Sequence, residues 1–218
     1  MSFNRADSLG GDPCTAEAAG DGGVKILYVR ATKEKNLLLL GISEEGESAR
    51  YTVNEGLYDS IGAPLRGAVL DSESLRIIRE YDLEYRAKKQ ALSFLSLADN
   101  SEKNLTVKLI RKGFSREMSA RVAAEMVSLG YVDENRQLER LILNEANGKL
   151  SGPMKILPKL VGKGYSADSV RAVMRALSES GELDFSVNAK KLLSRFSAEN
   201  LSRDERRALL YKHGYKML

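Results

Sequence analysis

Residues 108–133 read KLIRKGFSREMSARVAAEMVSLGYVD and residues 159–184 read KLVGKGYSADSVRAVMRALSESGELD, one unit written twice at an offset of 51 positions (159 − 108). Lys108 falls on Lys159, Leu109 on Leu160, Lys112 on Lys163, Gly113 on Gly164, Phe114 on Tyr165, Ser115 on Ser166, Val122 on Val173, Gly130 on Gly181 and Asp133 on Asp184. A shorter third copy, LLYKHGY, spans Leu209 to Tyr215, with Gly214 and Tyr215 in the places of Gly164 and Tyr165. Each copy predicts a helix ended by a glycine in the left-handed conformation and then an aromatic. In two copies a serine follows that can cap the next helix. Repetition at a fixed period marks a tandem array whose members bury their apolar faces against neighbours.

These K-G-aromatic turns and their flanking helices resemble the RecX family, regulators of the bacterial recombinase RecA, whose helical bodies are built from tandem three-helix units. The resemblance runs from about Tyr81 to the end of the chain and is weaker before it. It implies a mainly α fold: tandem three-helix repeats forming an elongated, curved body, with a small N-terminal antiparallel β-sheet. It also implies a modulator that lies in the groove of the RecA filament on single-stranded DNA and lowers its ATP hydrolysis, strand exchange and co-protease activity.

Apolar spacings of three and four place helices over Ser72 to about Glu80 and over Leu83 to Leu97, the latter opening repeat one. Ser101 or Asn100 caps the next helix, Gly113 ends it, and Ser115 caps a third that Gly130 ends. Tyr131 and Val132 are expected to pack the exit. Repeat two follows as Glu134 to Ala146, Pro153 to Lys163 and Ala167 to Ser180. Repeat three has Ser186 to Phe196 and Ser202 to His213, with Ser202 and Glu205 forming a capping box. Two departures from the family pattern stand out. Pro158 lies inside a helix that it should kink or whose start it should shift. The third helix of repeat three is missing, which weakens the grip on a partner if that helix contributes to it.

Before the helices, residues 1–23 are rich in Gly, Asp, Ala and Ser and read as a disordered tail. Val24 to Ala31, Asn36 to Ile42 and Ser48 to Val53 read as three strands of a small sheet, with a turn at Gly46. Asn54 caps a short helix through Ile61, and Gly62, Pro64 and Gly67 break the chain after it. Three strands bury little, so the sheet must lean on a helix. The resulting division is 1–23 tail, 24–71 β-rich region, 72–133 linking helix and repeat one, 134–184 repeat two, and 185–218 truncated repeat three.

Apolar runs such as Leu37 to Leu40 are far shorter than the roughly 20 residues that span a bilayer. No basic segment leads into an apolar one at the N-terminus, and the single cysteine, Cys14, has no internal partner. A cytoplasmic monomer is expected. Residues 1–71 carry 7 Lys/Arg against 11 Asp/Glu, whereas residues 72–218 carry 27 against 19, so the repeats are basic. Such a surplus suits a polyanion or an acidic protein groove.

The chain holds no phosphate-binding loop, no paired cysteines or histidines and no H-E-x-x-H, so neither cofactor, metal nor catalysis is expected. His213, the only histidine, ends a helix where a cation suits the dipole. Ser115 and Ser166 read as caps, and Phe114, Tyr131, Tyr165 and Tyr215 as core. The remaining signal is cationic. Lys108, Arg111 and Lys112 recur as Lys159 and Lys163, and Arg171, Arg175, Lys190, Lys191, Arg195, Arg203, Arg206 and Arg207 extend the set as candidate contacts to a RecA filament or to DNA. The alternative is a helix-turn-helix regulator that binds single- or double-stranded DNA without RecA. A bend that recurs after 51 residues (164 − 113) and again after 50 (214 − 164) fits a repeat array better than one recognition helix.

Overall fold

A computed structural model describes residues 23–44, 46–197 and 200–216. The expected tail, apart from Gly23, and Cys14 lie outside the described residues. The chain divides into two compact units, one up to Asp82 and one from Leu83 on.

In the N-terminal unit, β1 (Lys25–Ala31), β2 (Leu37–Glu44) and β3 (Glu47–Asn54) form an antiparallel sheet in the order β1-β2-β3. Alternation sends Ile26, Leu40, Ile42 and Val53 to one face, where they are buried with Leu70, Leu75 and Ile78. Gly46 turns the chain with positive φ, and Asn54 caps α1 (Glu55–Ser60) by accepting the Leu57 N–H at 2.6 Å. Leu75 and Ile78 lie on α2 (Ser72–Leu97), the helix on which the sheet leans. The two helices expected over Ser72 to Glu80 and Leu83 to Leu97 are therefore one. No glycine or proline interrupts residues 80–83, and the one poor helix former there, Asp82, is held by tertiary contact: its buried carboxylate accepts the Thr52 N–H of edge strand β3 at 2.9 Å.

The helical unit contains the rest of α2, then α3 (Glu102–Arg111), α4 (Arg116–Ser128), α5 (Glu134–Leu143), α6 (Pro153–Val161), α7 (Ala167–Glu179), α8 (Phe185–Arg195) and α9 (Arg203–Lys212). Ser101, Ser115, Asp133, Ser166, Asp184 and Ser202 cap six of these by accepting backbone N–H groups. Repeat one closes a core of Ala87, Ala91, Leu105, Leu109, Val122 and Met126, and repeat two one of Leu138, Ile142, Ile156, Leu160, Val170 and Leu177. A smaller cluster, Leu150, Leu192 and Tyr215, ties repeat three to repeat two.

Three local expectations change. The helix expected to reach Ala146 gives way to a π-helical turn over Asn144–Gly148. Helix α6 keeps its expected start at Pro153 and runs through Pro158, ending at Val161 rather than at Lys163. The carbonyl that Pro158 leaves without an amide is that of Met154, and both residues are exposed, so water can take the bond. Tyr131 is 57% exposed while Val132 is buried. Its counterpart in repeat two is Glu182, next to the buried Leu183, so the place after this glycine faces solvent in both repeats. Tyr165 and Tyr215 are buried, and Phe114 is half-buried against the repeat-one core.

Candidate partner-binding face and the joints that carry it

Each Gly-aromatic turn of repeats two and three seats on the start of the middle helix in the preceding repeat. In the first joint, Ser101, the N-cap of α3, accepts the Asn104 N–H at 3.2 Å and donates its hydroxyl to the Lys163 carbonyl at 3.0 Å. Gly164 has φ +94°, and a Cβ there would lie 2.6 Å from Ser101 Oγ. The Glu102 N–H donates to Glu134 Oε1 at 2.8 Å, and Arg140 pairs with Asp99 across the same boundary. In the second joint, Gly152 stands in the place of Ser101. Its N–H donates to the His213 carbonyl at 2.7 Å, and the Met154 N–H donates to the Gly214 carbonyl at 3.0 Å. Tyr215 donates its hydroxyl to the Leu150 carbonyl at 3.1 Å. In the second joint helix-end carbonyls thus meet helix-start amides, whereas in the first the Ser101 hydroxyl meets the carbonyl; either contact satisfies groups that a helix end would otherwise leave open.

Two other ends lack this contact. A Cβ on Gly113 would meet nothing within 4 Å. At the start of α9, the Ser202 N–H is taken by its own Glu205 carboxylate at 2.8 Å, while Ser202 Oγ accepts the Glu205 N–H at 3.3 Å.

The cations singled out in the sequence fall into three groups. Lys108 and Lys159, equivalent by register, both turn inward onto the end of their repeat's first helix. Lys108 Nζ donates to Asn100 Oδ1 at 2.5 Å and lies 5.5 Å from the Phe94 ring centroid. Lys159 and Lys149 place their ammonium groups 2.8 and 2.6 Å from Oε1 of the buried Glu145. Burial pushes the Glu145 carboxyl up, but the two ammonium groups outweigh it and hold it below its ordinary range. Both ammonium groups are thus engaged within their own repeats, Lys108 half-buried and Lys159 still exposed.

A second group is exposed but engaged: Arg171 pairs with Asp168 at 3.0 Å, Arg206 donates to the Leu201 carbonyl at 3.0 Å, Lys190 lies beside Asp184, and Arg195 lies near His213. The third group, Arg111, Lys112, Lys163, Arg175, Lys191, Arg203 and Arg207, is exposed. Lys155 and Lys212, passed over in the sequence, join Arg195 around His213 because α6, α8 and α9 converge there. Burial first, then these three cations, lowers the His213 pKa from its ordinary value. The imidazole is therefore neutral at pH 7 and does not serve as a helix-end cation.

Among the described residues no group of three His, Cys, Asp or Glu could hold a metal, and no helix is long and apolar enough to cross a membrane.

No family model matches the chain. The Regulatory protein RecX of Clostridium acetobutylicum is 34% identical over 105 residues, 48% of each chain. That of Stenotrophomonas maltophilia is 30% identical over 116 residues, which cover 53% of this chain and 68% of the relative. The chain belongs to the RecX family. A crystal structure of a regulatory protein RecX shares its fold, with a TM-score of 0.67 at 20% identity over 88% of this chain and 95% of the other. The chain spans about half the length of the first of these RecX relatives.

Proposed function

We propose that the chain binds the RecA filament on single-stranded DNA and modulates it, lowering its ATP hydrolysis, strand exchange and co-protease activity. It does so as a cytoplasmic monomer without chemistry of its own. Membership of the RecX family carries the reading. The repeats support it, since joined units of one kind suit a partner that is itself periodic. So do the exposed cations Arg111, Lys112, Lys163 and Arg175, for which an acidic protein groove is a natural counterpart. Against a helix-turn-helix mode, the turns at Gly164 and Gly214 already seat on the preceding repeat.

Co-sedimentation with RecA filaments tests this directly. Reversing Arg111, Lys112, Lys163 and Arg175 together to Glu should lower the pelleted fraction at physiological salt and leave the helical circular dichroism unchanged. Lys108 and Lys159 stay out of this variant because their loss would expose internal partners. Pelleting equal to that of the unmodified protein would remove these residues from the contact.

A further inference from the structure

The face of the N-terminal sheet turned away from its core carries a pattern that the proposed function does not use. Strand register sets nine residues there in three rows: Lys25, Ser43 and Ser48; Tyr28, Gly41 and Arg50; Arg30, Leu39 and Thr52. An irregularity between Ile26 and Tyr28 brings Lys25, Tyr28 and Arg30 onto one side. None of the nine is acidic, although residues 24–82 hold 10 Asp/Glu against 8 Lys/Arg. Glu44 and Glu47 are cross-strand register neighbours in a row of the opposite face, where the Glu44 carboxylate also binds Arg79 and Tyr51. Charge is thus sorted between the two faces by period-two alternation.

An aromatic ring sits at the centre of this acid-free face. The Tyr28 ring lies across Gly41, where any Cβ would overlap it, and this close approach accounts for a glycine in the middle strand. The Arg30 guanidinium stacks over the ring at 4.8 Å from its centroid. Arg30 and Arg50 are exposed, and neither they nor Lys25 form an ion pair among the described residues.

We propose that this sheet face binds single-stranded nucleic acid, with a base stacked on the Tyr28–Arg30 pair and the flanking phosphates on Lys25 and Arg50. Aromatic rings and guanidinium planes both stack on unpaired bases, and rows about 6.8 Å apart along the strands let cations flank a stacked base. An acidic peptide would use the cations and leave the stacked pair idle. A duplex keeps its bases out of reach of a flat sheet. The proposal stands apart from the RecA reading: it concerns the other unit, and its test contains no RecA.

The test is fluorescence anisotropy of the full chain with a labelled oligothymidylate of about 20 nucleotides. Tyr28→Ala should weaken binding about tenfold, while Tyr28→Phe, which keeps the ring, should bind as the unmodified protein does. Arg50→Glu, exposed and away from the core, should weaken binding several-fold and reduce the salt slope by about 0.7, whereas Lys35→Glu, the same charge change off this face, should do less. Unaltered affinity in Tyr28→Ala, equal losses in Arg50→Glu and Lys35→Glu, or displacement of the oligonucleotide by poly-glutamate of matched charge would each overturn the proposal.

Discussion

Ser101 and Gly152 occupy the same place in successive repeats, and the joints they make differ in which atoms touch. In the first joint a hydroxyl reaches across to the Lys163 carbonyl at 3.0 Å. In the second the Gly152 N–H reaches the His213 carbonyl at 2.7 Å, with no side chain between the two backbones. The same helix-end to helix-start contact is thus made at two separations. A side-chain contact can adjust by rotation about χ1, whereas a backbone contact is fixed by the chain on both sides. The second joint should therefore be the more exacting and its failure the more local, because α8 and α9 can detach without opening the cores of repeats one and two.

The variant expected to do most is Gly152→Ser, which gives the second joint the residue of the first. Its Cβ would overlap the Gly214 carbonyl, and we expect a cost of about 3 kcal/mol, read as lost amide-exchange protection over α8 and α9 with α5–α7 still protected. Retained protection at Tyr215 would mean that the joints are interchangeable. Next comes Gly164→Ala, which strains a positive φ and presses on Ser101 Oγ, for about 2 kcal/mol in thermal unfolding. Adding Ser101→Gly should return about 1 kcal/mol of that, a coupling that simple additivity denies. Gly113→Ala has the same φ of +94° and no neighbour, so it should cost only the conformational term of about 1 kcal/mol.

The smallest effect concerns pH and only the second joint. The His213 pKa in the fold lies below its ordinary value of 6.5. Protons therefore favour the unfolded chain, and this contribution to stability is complete above about pH 6.5 and lost as pH falls toward the folded value. Thermal melts between pH 7 and 5 should show a decline that His213→Gln reduces. An equal decline in both proteins would take it away from His213, and Glu145 would not account for it, because a carboxyl held below its ordinary 4.5 loses its contribution only at lower pH.

Much of this was legible in the sequence for local reasons. Serines and aspartates ahead of helical runs cap them, and the glycines at 113, 164 and 214 all take positive φ, because caps and helix ends depend on a few adjacent residues. What was not legible depended on distant partners. Lys108 and Lys159 look like surface charge until Asn100 and the buried Glu145 are placed beside them. Tyr131 looks like core by its type, and only the repeat alignment with Glu182 shows that its position faces water. The continuity of α2 rests on Asp82 finding the Thr52 amide 30 positions away. The joints combine both cases: each turn was visible, but its seat on the previous repeat was not.

The capping box at the start of α9 has a meaning in the language of polymerisation. Seats like those of Ser101 and Gly152 join a helix start to the glycine end of a following repeat, and the Gly113 end is open. An open seat on the same chain would be complementary to it, and head-to-tail contacts between identical molecules build rings or, where the rotation does not close, open filaments. Glu205 occupies that seat from within its own helix, and the Ser202 N–H holds its carboxyl below the ordinary range, so it stays charged at neutral pH. A glycine end from a second molecule would therefore meet a helix start whose first amide is already bonded to Glu205.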